Sequence, residues 1–201
     1  MREKPQQSRR EEYAEATRMA LIDAAREIFV EEGFQQAGVE AIARRARVTR
    51  GAFYHHFADK QALFEALVVD LQADAAQRLT ATARVQGDPF ARISAGAKAF
   101  LEICLEPAYR RLVIQEAPVV LGSRRSREIG DAYAFGMLGR ALVELKAAGS
   151  IAIDDAELAG RMIAAMICET AILLGDAPRP KAMKRDALDI IDRVFRAFAP
   201  Q

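Results

Sequence analysis

The chain is poor in the residues from which most catalytic and metal sites are built: among 201 residues there are two histidines and two cysteines. His55 and His56 are adjacent. On a helix they project about 100° apart, so they cannot chelate one metal as an i, i+4 pair does, and no nearby Cys or carboxylate cluster completes a site. Cys104 and Cys168 lie far apart in sequence without a CxxC partner, which argues against a disulfide and for the reduced thiols of a cytoplasmic protein. The GxSxG, HExxH, P-loop and dinucleotide fingerprints are all absent. The chain is therefore expected not to be an enzyme and to carry no cofactor. No apolar run reaches the length of a membrane span, and the N-terminus is too polar for a signal peptide, so a soluble protein without a membrane partner is expected. A charge excess is lacking too: the net charge is +1, and the whole-chain balance does not point to nucleic acid.

What is present is helical. Apolar residues make up 51% of the chain, while Gly and Pro number only 12 and 7. Long runs of 3.6-residue periodicity, with no convincing alternating segment, predict an all-α fold with a sizeable core.

Charge is segregated locally. From residue 44 to 60, Arg44, Arg45, Arg47, Arg50 and Lys60 stand against Asp59 alone, whereas residues 11–32 hold seven acids against Arg18 and Arg26. The basic stretch coincides with a pattern of two short helices. Val39, Ile42, Ala43 and Ala46 share one face of the first, and Arg44, Arg45 and Arg47 occupy the other. Thr49 stands where a helix N-cap is expected. The second helix, about Arg50 to His56, is too short to persist alone and must be held by packing of Phe53 and Phe57. That leaves Arg50, Ala52, His55 and His56 facing outward. A short, supported helix with a basic, hydrogen-bonding outer edge suits the DNA major groove.

These residues carry a resemblance. From about Thr17 to Gln77 the chain resembles the N-terminal DNA-binding domain of the TetR family of bacterial transcriptional regulators, through AAREIFVEEGF, IARRARV, TRGAFYHHF and DKQALFEAL. It departs from the usual pattern twice: Arg47 replaces a turn glycine, and Gly38 replaces a capping threonine. Arg at a turn position wanting φ > 0 is expected to be strained. The resemblance implies an N-terminal three-helix helix-turn-helix domain over 11–77 and a C-terminal ligand-binding and dimerisation domain over 78–201. It also implies double-stranded DNA as partner, through Arg45, Thr49, Arg50, Gly51, Ala52, Tyr54, His55, His56 and Lys60. Arg50 would read a base; Gly51 and Ala52 would lie near the groove floor; Tyr54 and Lys60 would hold phosphates.

About nine helices are expected in all. The basic tail 1–10 reads as a solvated arm, and a helix from Glu11 to Glu32 closes at Gly33. A fourth helix runs from Asp59 to Val85, Gly87-Asp88-Pro89 restarts the chain, and Pro118 should end or kink a sixth. A seventh is expected unbroken from Ser123 to Ala148, an eighth from Asp155 to Leu174, and a ninth from Lys181 to Phe198.

The last two helices expose wide apolar faces: Leu158, Met162, Met166, Ile172 and Leu173, then Ile190, Ile191, Val194, Phe195 and Phe198. Such stripes bury in the protomer's core or against a second subunit; the resemblance implies a homodimeric four-helix bundle, which would set two reading helices on a palindromic operator. Candidate lining residues for an unknown small-molecule effector are Phe100, Cys104, Tyr133, Met137, Met166 and Glu169, each of which could equally be ordinary core. The resulting expectation is a ligand-responsive regulator, in this family more often a repressor. The competing reading is a small-molecule-binding protein or enzyme that retains a non-functional helix-turn-helix head.

Overall fold

In the computed structural model the residues described are 9–83, 89–175 and 177–200, with only the backbone of 9, 10, 83 and 89. The Asp88 cap and the tail up to residue 8 lie outside them; Arg9 and Arg10 already form the first turn of α1 (Arg9–Glu32). The chain divides into two compact units, Met1–Val68 and Val69–Gln201.

The first unit holds α1, α2 (Val39–Arg45), α3 (Arg50–His56) and the opening turns of α4 (Lys60–Ala83). The expected stripe of α1 is inside: Leu21, Ala24, Ala25, Ile28 and Phe29 are buried, with Ile22 beside them. Gly33 closes the helix at φ 83°, where a side chain would be strained, and its N–H returns to the Phe29 carbonyl at 3.0 Å. Phe29, Phe34 and Phe64 then form a triangle of rings with centroids 5.1–5.7 Å apart. Phe64 meets the other two edge-to-face, and such pairs add about 0.5–1.5 kcal/mol each beyond the area they bury.

The boundary between the units falls inside α4, ahead of the expected position at 77. Gln72 accounts for the difference: its buried carboxamide oxygen accepts a hydrogen bond from the Tyr109 hydroxyl at 3.1 Å, tying this part of α4 to the second unit.

The second unit continues with α5 (Pro89–Leu105), a wide π-helical stretch (Tyr109–Glu116), α6 (Ala117–Val120), α7 (Ser123–Ala132), α8 (Ala134–Ala147), α9 (Ala156–Gly175) and α10 (Pro180–Arg196). Asp155 caps α9, its Oδ1 accepting from the Leu158 N–H at 2.9 Å, and Gly149 closes α8 at φ 68°. Two elements differ from expectation. Pro118 neither ends nor simply kinks the sixth helix. It sits in the first turn of α6, directly after the N–H of Ala117 has reached back to the Leu112 carbonyl, so the missing N–H falls where wide winding gives way to α winding.

The expected seventh helix is two helices, which makes ten among the described residues. The chain breaks at Tyr133 (φ −119°, ψ −121°). Glycines on either side permit the bend. A Cβ on Gly130 would fall 2.3 Å from the Phe135 ring, and one on Gly136 would fall 2.0 Å from the Asp131 carbonyl oxygen. Carbonyls freed by the break are met by Arg140, whose guanidinium donates to Asp131 O at 3.2 Å and Tyr133 O at 3.3 Å.

One expectation about membranes is corrected. The 20-residue α9 is long and apolar enough, by length and composition, to cross a bilayer. The charges of Glu157, Arg161 and Glu169 make it look interrupted in sequence, yet they are too few to disqualify it. Its Ile163, Ala164, Ile167, Ala171 and Leu174 are buried in the second unit, and 33% of the apolar window is buried in all.

The α8–α9 crossing depends on two glycines meeting backbone to backbone. A Cβ on Gly160 would lie 2.4 Å from Gly139 Cα and 2.6 Å from its nitrogen. Gly160→Ala is expected to lower the stability of this unit by about 1–3 kcal/mol, the usual cost of overpacking rigid neighbours, measured by urea unfolding. Gly96→Ala, where an added Cβ meets nothing within 4 Å, serves as control and should be neutral or stabilising by about 0.5–1 kcal/mol.

Candidate nucleic-acid interface

Thr49 precedes α3 in extended conformation (φ −78°, ψ 158°), and its Oγ1 accepts from the Ala52 N–H at 3.1 Å. Gly38 occupies the same place before α2 with no side chain to cap it. Between the helices, Arg47 takes φ 58°, the single positive φ outside glycine among the described residues. Its N–H bonds Arg44 O at 3.1 Å, and the N–H of Val48 bonds Ala43 O at 2.9 Å, so the carbonyls at the end of α2 are satisfied by the left-handed turn. The strain expected of Arg at this position is therefore present.

Buried Phe53 and Phe57 seat α3, with ring centroids 6.0 Å apart. Arg50, Gly51, Tyr54 and His55 are exposed, whereas Ala52 and His56 are half-buried. Burial, then the proximity of His55 and of Arg18, lowers the pKa of His56. Near neutral pH it is an uncharged imidazole with one donor and one acceptor.

The cations in this unit are not idle. Arg50 donates to Glu40 Oε1 at 2.6 Å, and its guanidinium carbon lies 5.7 Å from the centre of the Tyr54 ring. Tyr54 first, and then Glu40, raise its pKa. Arg45 hydrogen-bonds Glu27 and lies 4.0 Å from Glu31, both on α1. Lys60 requires a correction. Its ammonium points inward and donates to the carbonyls of Phe34 (2.7 Å), Ala37 (2.9 Å) and Gln35 (3.3 Å), 4.4 Å from the Phe34 ring centre. With its three donors spent on the loop after α1, it is a brace for that loop and not a free phosphate ligand.

The second unit contains a cavity of about 130 Å³ walled by α5, α8, Leu79 of α4 and Ile167 of α9. Phe100 and Met137 of the expected lining are in its wall; Cys104, Tyr133, Met166 and Glu169 are not. Cys104 is buried against Cys168, and that thiol–thiol hydrogen bond, followed by burial, pushes its pKa far up. Tyr133 is the helix break, Met166 is half-buried, and Glu169 is exposed, so its carboxylate needs no buried partner. Nearly half of the wall comes from α8, whose orientation follows from the break at Tyr133.

On α9 and α10, Leu158, Met162, Leu173 and Ile190 are 53%, 64%, 49% and 55% exposed. Met166, Ile172, Val194 and Phe198 are half-buried. Ile191 and Phe195 correct the expected interface: both are buried within the protomer, on the inner side of α10.

A family model described as bacterial regulatory proteins, tetR family, matches residues 21–67. One described as tetracyclin repressor-like, C-terminal domain, matches residues 90–198. The chain belongs to the TetR family. Proteins of this family carry a DNA-binding helix-turn-helix and regulate transcription, and the regulatory-protein model falls on α1–α4 of this chain. The TetR-type head is 42% identical over 65 residues to the HTH-type transcriptional regulator UidR of Escherichia coli K12. That match covers 32% of this chain and 33% of UidR, so the chain matches about a third of the length of such relatives. A TetR-family regulator of Pectobacterium atrosepticum superposes with a TM-score of 0.75 at 27% identity, covering 97% of this chain and 99% of that one. RolR, in complex with its ligand resorcinol, has the same fold (TM-score 0.68, 18% identity, 94% and 98% covered).

Replacing Arg47 by Gly removes a left-handed strain of about 1–3 kcal/mol against an entropic cost of about 0.5–1 kcal/mol. Arg47→Gly should therefore raise the stability of the first unit by about 0–2.5 kcal/mol, read from urea unfolding. A loss would mean that the Arg47 side chain contributes more than its backbone costs.

Proposed function

We propose that this TetR-family chain is a ligand-responsive repressor that binds a palindromic operator as a homodimer and is released by a small-molecule effector. The observation that carries the reading is α3 itself. It is a seven-residue helix capped by Thr49 and anchored by Phe53 and Phe57, with Arg50, Gly51, Tyr54 and His55 on its open edge. Arg50 is the base reader and exchanges Glu40 for a guanine edge on binding; Thr49, Ala52, Tyr54, His55 and His56 complete the contact set. Lys60 acts through the loop it braces, and Arg45 through α1.

One such helix reads few base pairs; a two-fold pair reads two half-sites about 34–36 Å apart. The exposed Leu158, Met162, Leu173 and Ile190 supply an apolar face for a second copy. The effector occupies the α5–α8 cavity. Leu79 links that cavity to α4, the helix continuous with the DNA-binding unit. RolR binds resorcinol in the same fold class, which supports a small ligand here. Effector and operator then weaken each other's binding reciprocally.

The test is anisotropy of the purified protein with DNA spanning its own upstream region, across a salt series. Binding should be far tighter than to random DNA and fall steeply with salt. Arg50→Ala should cost about 1–3 kcal/mol, roughly 5- to 150-fold. Met162→Glu should halve the mass seen by light scattering and weaken operator binding. Wild-type binding that is weak and alike for all sequences, with Arg50→Ala unchanged, would leave the head non-functional and place the activity in the cavity.

A further inference from the structure

The cavity limits what can enter it, and three features of its wall converge on one ligand chemistry. The first is size. At about 130 Å³ the space is close to the ~150 Å³ apolar cavity known to take up benzene. That is the volume of a single ring, and less than a long acyl chain fills.

The second is shape. On α5, Arg92, Gly96 and Phe100 follow one another at i, i+4 and i+8, with Ile93 and Ala97 beside them. Gly96 is the position at which a side chain is missing: an added Cβ there meets nothing within 4 Å. Phe100 is pinned edge-to-face by Phe135 (5.5 Å between centroids, 68°) and Tyr109 (6.4 Å, 86°). Its ring is a fixed platform and not a movable plug. Met137 offers a polarizable thioether to a ring seated there.

The third is the charge of the wall. Arg92 and Glu144 are its two charged members, both exposed, and among the described residues neither has an ion-pair partner. A ligand of net charge would be attracted by one and repelled by the other. A neutral hydroxyl satisfies both, accepting from the guanidinium and donating to the carboxylate.

We infer that this cavity selects a small, neutral, hydroxyl-bearing ring of the phenol type, and rejects long-chain and charged molecules. The inference rests on the effector reading of the cavity given above. It deepens that reading by assigning Arg92 and Glu144 to the hydroxyl and Phe100 to the ring.

The test is calorimetric titration of the DNA-free, full-length protein at pH 7.5 with phenol, benzoate, benzylamine and octanoate. Phenol should bind saturably and at least ~10-fold more tightly than the two charged rings, the scale expected of a hydrogen bond to a charged group. Octanoate should not bind. Gly96→Leu, whose Cβ meets nothing within 4 Å, should abolish phenol binding with its unfolding midpoint unchanged or raised. Arg92→Met and Glu144→Gln should each weaken phenol; Arg92→Met should also narrow the gap between phenol and benzylamine. Equal binding of benzoate or benzylamine, tighter binding of octanoate, no saturable binding of phenol, or a Gly96→Leu variant that binds as before would each overturn the assignment. Operator release by phenol is read separately, by anisotropy. Saturable binding without release would uphold the ligand class and overturn the effector reading.

Discussion

A helix of seven residues has too few internal hydrogen bonds to offset the cost of nucleating it, and this head contains two of them. Both α2 and α3 persist only because Ile42, Ala43, Phe53 and Phe57 have a preformed apolar surface to enter. Helix α1 packs against α2, and α2 in turn against α3; Leu21, Ala25, Ile28 and Phe29 of α1 are buried, beside the ring triangle of Phe29, Phe34 and Phe64. The open edge of α3 is therefore positioned by burial on its other side. The same dependence explains why a strained Arg47 is tolerated. A left-handed residue between two anchored helices is held by their packing, and the satisfied carbonyls of Ala43 and Arg44 offset part of the strain.

Electrostatics are set on this frame in a more economical way than the charge count implies. Arg45 is committed to α1 through Glu27, Lys60 to three loop carbonyls, and Arg50 to Glu40. Arg45 and Lys60 tie elements together in the free protein. Arg50, held by the exposed Glu40 carboxylate and the exposed Tyr54 ring, is the one whose ion-pair partner is most readily exchanged, since surface pairs contribute about 0–1 kcal/mol. The local excess of positive charge is thus divided between architecture and recognition.

In the second unit, small residues do the shaping. Gly160 and Gly139 let α9 and α8 touch backbone to backbone, while Gly130 and Gly136 let the chain fold over at Tyr133. The bend turns α8 so that Ala134, Met137, Ala141 and Glu144 face α5, and the cavity is the space that Gly96, Ala97 and these alanines leave unfilled. The buried tie from Gln72 to Tyr109 holds the later turns of α4 to the same unit. The two cysteines, 64 positions apart in sequence, come together here as free thiols.

How much of this was legible in the chain depends on the range of the forces involved. Periodicity, caps and glycine stops act within a few residues. The all-α class, the Thr49 cap, the Gly33 and Gly149 stops, the left-handed Arg47 turn and the buried anchors Phe53 and Phe57 were all readable from sequence. Properties set by partners remote in sequence were not. Nothing near Lys60 announces that its ammonium turns toward residues 34–37, and near Tyr133 no proline marks the break, only glycines that a continuous helix also tolerates. Ile191 and Phe195 look like their neighbour Ile190 in a one-dimensional stripe, and only packing tells the inner side of α10 from the outer. Helical class and local turns follow from the chain's own covalent neighbourhood. Which apolar side is inside, which cation is spent and where space is left open follow from tertiary contact, since burial and desolvation are properties of the assembled fold.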